Sequence, residues 1–175
     1  MITLILGQNA IGKSYCLKKI LKENIKSNIV ASNINGIDNL DILENREYNN
    51  ERLEILEENK FIDEISVKAN KISIIEADMK TGHKFESLVY LLCKEADILI
   101  LDEPEYGLSS EEIALLFDLI TKMASTFKEV YIVSHDVKSI ALLWNNNSKL
   151  YTVITENNSY KLKEENKEAA YELIN

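Results

Sequence analysis

The sequence has 175 residues with 46% hydrophobic content, enough for one sizeable core and too little for two ordinary domains. A formal net charge of -9 gives the average surface no attraction for DNA or anionic membrane, while leaving room for a local basic patch. The two cysteines, Cys16 and Cys93, each fall inside an apolar helical pattern without metal-ligand spacing, and read as small core residues of a reducing compartment. No apolar run approaches the roughly 20 residues of a membrane span, and no signal peptide precedes the first apolar run, so the expectation is a soluble, cytoplasmic protein.

In chain order, residues 1–6 form a short apolar run, ITLIL after the first methionine, expected to be a strand. It runs into Gly7, Gln8, Asn9, Ala10, Ile11, Gly12, Lys13 and Ser14, and a helical pattern follows over residues 15–24. The string is G-x-x-x-x-G-K-[ST] without a mismatch, and its four fixed positions coincide by chance at roughly a few in 10⁵ sites. A strand that delivers into a glycine loop opening a helix points successive backbone N–H groups and a positive helix terminus at one spot. Polyphosphate fits there, with Lys13 reaching the terminal phosphates and the Ser14 hydroxyl placed to ligate Mg²⁺. The alternative is a glycine turn before an ordinary helix.

Residues 28–32 (NIVAS) read as a second strand. Over residues 34–80 the texture changes: acidic residues crowd residues 38–64, and Leu40, Leu43, Leu53, Leu56, Phe61 and Ile65 recur at loose helical spacing. This predicts a small acidic helical insert within a single domain spanning residues 1–175, most of its charges forming a solvated face. Residues 71–77 (KISIIEA) are a candidate strand.

Residues 98–101 (ILIL) end in Asp102, Glu103 and Pro104, which suggests a buried parallel strand with carboxylates at its C-terminal end. Ligands of open α/β sheets sit at that edge. Asp102 can hold the Mg²⁺ shell near Ser14, and Glu103 can serve as general base toward an attacking water. Read alone, the two acids could equally mark a strand end and turn. Residues 129–134 (EVYIVS) form another buried-strand pattern and deliver His135 to the same edge. A lone histidine is most often structural, but here it can hydrogen-bond a γ-phosphate or the water. Asn145 and Asn147 mark a turn. Residues 149–175 read as a hairpin (149–154 and 159–162) followed by a closing helix over 164–174.

The order of phosphate loop, ILILDEPEYGLSSEE and YIVSHD resembles the ATP-binding cassette superfamily of transporter and SMC-type chromosome and recombination ATPases. The resemblance implies an α/β P-loop NTPase with a mainly parallel sheet flanked by helices. It implies ATP and Mg²⁺ as ligands, Glu103 as catalytic glutamate and His135 as switch histidine, with Lys13 on the phosphates and Ser14 and Asp102 on the metal. Nucleotide contacts would come from Gly7, Gln8, Asn9, Ala10, Ile11, Gly12, Lys13, Ser14 and Tyr15. The string Thr81-Gly82-His83-Lys84 is similar to the family signature, in which Thr81 and Gly82 would face a γ-phosphate held by a second subunit. On sequence alone, the helix that follows has no use within its own subunit. Ser109 stands where the family's D-loop carries aspartate, His83 where a glycine or glutamate is expected, and the single glutamine, Gln8, lies inside the phosphate loop.

The expected activity is hydrolysis of ATP to ADP and phosphate in an ATP-dependent homodimer, or beside a related ATPase partner. The THK string and DEPE lean toward a soluble regulatory, genome-maintenance or defence ATPase of the SMC/recombination kind, although no long heptad pattern supports a coiled-coil arm. The alternatives are the ATPase subunit of an exporter with a separate membrane partner, and a nucleotide-dependent binding module with little hydrolysis. The sequence leaves nucleic acid and effector-protein partners open.

Overall fold

The computed structural model describes residues 1–7, 12–24, 28, 30–34, 84–145, 147–157 and 159–174. The expected acidic helical insert, from residue 35 on, the candidate strand over 71–77 and the Thr81-Gly82 step lie outside the described residues.

Strand β1 (Ile2–Leu6) leads to helix α1 (Lys13–Asn24) and strand β2 (Val30–Ser32). Helix α2 (Lys84–Cys93) precedes β3 (Ile98–Asp102), and α3 (Ser110–Met123) with a short 3₁₀ turn precedes β4 (Glu129–Ser134). Helix α4 (Val137–Leu143), the hairpin β5 (Ser148–Glu156) and β6 (Ser159–Glu164), and α5 (Lys167–Ile174) close the chain. Among the described residues the strands form one six-stranded sheet in the order β2-β3-β4-β1-β5-β6. All neighbours pair in parallel except β5 with β6. The fold is therefore a mainly parallel sheet flanked by helices, as the sequence implies.

Burial explains which strands are central. In β1 every residue is buried, and in β3 only Asp102 at the end is partly exposed, so both read as continuous apolar runs covered on two faces. Side chains alternate between those faces. Leu4, Leu6, Leu99, Leu101, Val130 and Ile132 pack with α2, α3 and α4, whereas Ile5, Ile98, Ile100 and Val133 pack with Cys16, Leu17 and Leu21 of α1. The result is three layers, with Cys93 in one core and Cys16 in the other, both buried and free. At the sheet edge β6 is almost wholly exposed, and Lys161 and Lys163 blunt it against further pairing.

Because β3, β4 and β1 are parallel neighbours, their C-terminal ends share one edge. Register sets Leu6 opposite Ser134 and Asp102 opposite Val133. Gly7, Glu103 and His135, each the next residue of its chain segment, are therefore brought together by the pairing itself.

Candidate functional site

Helix α1 begins at Lys13, two residues earlier than its apolar spacing indicates, so Lys13, Ser14 and Tyr15 form its first turn. Gly12 precedes it at φ +88°, a left-handed conformation natural to glycine. The Lys13 side chain is buried, and its Nζ donates to the Gly7 carbonyl at 2.7 Å. Nζ also lies 3.3 Å from Glu103 Oε1. Gln8, Asn9, Ala10 and Ile11, the rest of the expected phosphate loop, lie outside the described residues, as do Thr81 and Gly82.

Ser14 Oγ donates to Asp102 Oδ2 at 2.8 Å. Burial pushes the Asp102 carboxyl up from its ordinary value, and repulsion by Glu103 adds to this, opposed by the Ser14 hydrogen bond and the Lys13 charge. Two hard oxygen donors from different elements, already in contact and next to a lysine, form a donor set that fits Mg²⁺ beside phosphate.

Glu103 is the pivot of the edge. Its Oε1 stands 3.3 Å from Lys13 Nζ and 3.3 Å from His135 Nδ1, so one carboxylate links the β1 loop to the end of β4. Its backbone adopts φ +44°, uncommon for a residue with a side chain and costly by about 1–3 kcal/mol. Hydrogen bonds hold it there. Its N–H donates to Val133 O at 2.9 Å, and its carbonyl accepts from Tyr106 N at 3.1 Å and from Lys84 Nζ at 3.1 Å.

Motif reading gives Asn33 and Glu105 no role and takes Lys84 only as part of the signature string. The Asn33 side chain brackets Asp102, accepting from its N–H at 2.7 Å and donating to its carbonyl at 2.9 Å. Its only sequence signal is a polar residue just past a strand, since the contact joins positions 69 residues apart. Glu105 is buried; its Oε1 accepts from Ser134 Oγ, while Oε2 has no hydrogen-bond partner among the described residues. Burial raises the Glu105 carboxyl above its ordinary range, the Ser134 hydrogen bond opposing. Lys84, the first residue of α2, donates to the carbonyls of Glu103 and, at 2.6 Å, of Tyr106. On sequence alone α2 has no evident use in its own subunit; its first residue in fact ties α2 to the backbone of the Glu103 loop. Burial lowers the Lys84 ammonium from its ordinary value, against the attraction of Glu105, Glu103 and Asp102.

Ser109 is the N-cap of α3 in a complete capping box with Glu112. The S-x-x-E signal was present in the sequence, and it gives the serine in the D-loop position a local structural task.

The buried Lys13, the Ser14–Asp102 pair and the Glu103–His135 pair at one edge of a mainly parallel sheet have the arrangement of a P-loop nucleotide-triphosphatase fold. Within that class the chain resembles the ATP-binding cassette ATPases. No protein-family model matches it. It is 28% identical over 122 residues to the L-arabinose transport ATP-binding protein AraG of Geobacillus stearothermophilus, covering 69% of this chain and 23% of that protein. The chain thus spans about a quarter of the relative's length. Among solved structures, the RNase-L inhibitor aligns with a TM-score of 0.55 at 19% identity, over 90% of this chain and 32% of its own. A putative metal-chelate type ABC transporter in an inward-facing conformation aligns with a TM-score of 0.54 at 16% identity, over 93% of this chain and 72% of its own. The complex of an archaeal ribosomal stalk protein with the archaeal ribosome recycling factor aABCE1 gives 0.55 at 18%, over 90% of this chain and 32% of that one. These likenesses give the fold, and the curated relative supports the general ATP-binding, ATPase kind. No helix among the described residues is long and apolar enough to cross a membrane.

Proposed function

We propose that the chain binds Mg-ATP at the C-terminal edge of β1, β3 and β4 and hydrolyses it to ADP and phosphate. The observation that carries this reading is the single carboxylate of Glu103 held between Lys13 Nζ and His135 Nδ1, each at 3.3 Å. In the nucleotide-bound site Lys13 and the loop amides take the phosphates, which releases one of the two partners of Glu103. The freed carboxylate accepts a proton from the attacking water, and His135 steadies the γ-phosphate. Ser14 and Asp102 hold Mg²⁺, which supplies neutralisation of the phosphate charge. Lys13→Ala tests the site: retention of a labelled ATP analogue should be lost, and equal retention by variant and wild type would contradict the assignment.

We infer a cytoplasmic regulatory ATPase of the SMC/recombination or defence kind, working as an ATP-dependent homodimer or with a related ATPase partner, a reading the THK string and DEPE favour slightly. The tie from Lys84 to the Glu103 carbonyl supports a linkage between the signature helix and the catalytic loop. A second reading, the ATPase subunit of a transporter, is favoured by the arabinose-transport relative. An adjacent membrane-protein gene would support transport, and an adjacent nuclease gene defence. A wild type that binds ATP without turnover would instead point to a nucleotide-dependent binding module.

A further inference from the structure

A nucleotide held by its phosphates must still place its base, and two aromatic rings stand beside the loop. Tyr15 lies in the first turn of α1, next to Ser14, with 55% of its surface exposed. Tyr160 approaches from β6 and is 38% exposed. The ring centroids are 5.8 Å apart and the planes meet at 58°, a tilted aromatic pair.

The fold fixes this meeting. Parallel pairing of β1 with β5, with Leu6 opposite Thr152, carries the end of β5 toward the edge where β1 enters the phosphate loop. The hairpin then returns, and the pair Thr155–Tyr160 sets Tyr160 near its tip. There the ring fills the space over Gly12 that a Cβ would need. Gly12 therefore serves two demands, its positive φ and the approach of this ring. Neither tyrosine belongs to the hydrophobic core on either face of the sheet. Both rings are partly exposed, Tyr15 beside Ser14 in the first turn of α1 and Tyr160 over Gly12, and core packing does not account for them.

We propose that Tyr15 and Tyr160 form a base-stacking platform for the nucleoside end of a nucleoside triphosphate. This rests on the phosphate-loop reading of Gly7 to Ser14 and extends it to base recognition by a residue almost 150 positions downstream. A heteroaromatic base lies on the face of one ring and meets the edge of the other. Stacking engages the π-face that every base has and does not read exocyclic groups. The platform accordingly takes adenine and guanine alike.

Calorimetric titration of the full chain with ATP, GTP and inorganic tripolyphosphate tests this, using wild type, Tyr160→Ala and Tyr160→Phe. Tyr160→Ala should weaken ATP and GTP alike by about 5- to 100-fold and leave tripolyphosphate unchanged, whereas Tyr160→Phe keeps all three affinities. Unchanged tripolyphosphate binding also shows that the variant is folded. Unaltered ATP affinity in Tyr160→Ala overturns the platform. So does an equal loss of ATP and tripolyphosphate, which would make the ring a prop for the loop, or a gain in ATP affinity, which would make it an obstacle. A preference of wild type for one purine beyond about tenfold overturns recognition by stacking alone. A wild type that binds neither ATP nor tripolyphosphate defeats the phosphate-loop reading and the platform with it, whereas tripolyphosphate binding with an indifferent Tyr160→Ala defeats the platform alone.

Discussion

Glu103 concentrates the chemistry of the edge, yet its conformation depends on residues that never touch a phosphate. Lys84 and Val133 hold a left-handed backbone that the sequence does not announce, because a positive φ outside glycine has no composition signal. The polar members Lys13, Ser14, Asp102, Glu103 and His135 were legible because each follows an apolar strand or sits in a fixed motif. Asn33 and Tyr160 were not, since their partners lie far away in sequence and only pairing brings them near. Glu105 carries a pH prediction. Its carboxyl is raised above the ordinary 4.5, so the folded state binds a proton more tightly than the unfolded chain. Stability from this group is then full below the ordinary value and is lost as pH rises through the folded one. Glu105→Gln removes the titration, and the fall in thermal midpoint between about pH 4 and pH 7 should be smaller than in wild type. Parallel slopes would show that Glu105 is ionised at no cost in the fold.

At the scale of elements, strands were read better than helix ends. The run EVYIVS became β4 with the expected bounds, because its buried Val130, Ile132 and Val133 leave a strong apolar pattern. The start of helix α1 at Lys13 escaped the apolar pattern because Lys13 and Ser14 add nothing to apolar periodicity. The closing helix starts at Lys167, three residues after the expected position, because Glu164 still belongs to β6 and pairs with Tyr151. The hairpin likewise runs on to Glu156 and Glu164, where polar side chains tolerate an exposed edge. The cap of α3 gives a measurable consequence. Ser109 Oγ accepts from Glu112 N at 3.3 Å, while Glu112 Oε2 accepts from Ser109 N at 2.7 Å. Ser109→Ala should cost about 1 kcal/mol in denaturant unfolding, and Ser109→Asp, which can cap equally well, only a few tenths. Equal losses in the two variants would show that the hydroxyl serves something other than the cap.

For the whole molecule, parallel order is what makes three distant segments a site: β1, β4 and β3 end on one edge, and each supplies one part of the constellation. The resemblance to cassette ATPases extends to assembly as a proposal, in which the signature at Thr81 and Gly82 meets nucleotide held by a second subunit. Light scattering of Glu103→Gln should show a doubled mass with Mg-ATP and a monomer without it, and adding Gly82→Asp should abolish the doubling. A mass that stays monomeric with ATP bound would argue against a homodimer. The most direct measurement on the central claim compares wild type and Glu103→Gln in one preparation, for ATP retention and for phosphate release with Mg²⁺. Binding should survive in both, while turnover falls by roughly 10² or more in the variant. Unchanged turnover in Glu103→Gln would contradict the assignment of the base and move it elsewhere on the edge, His135 being the nearest candidate.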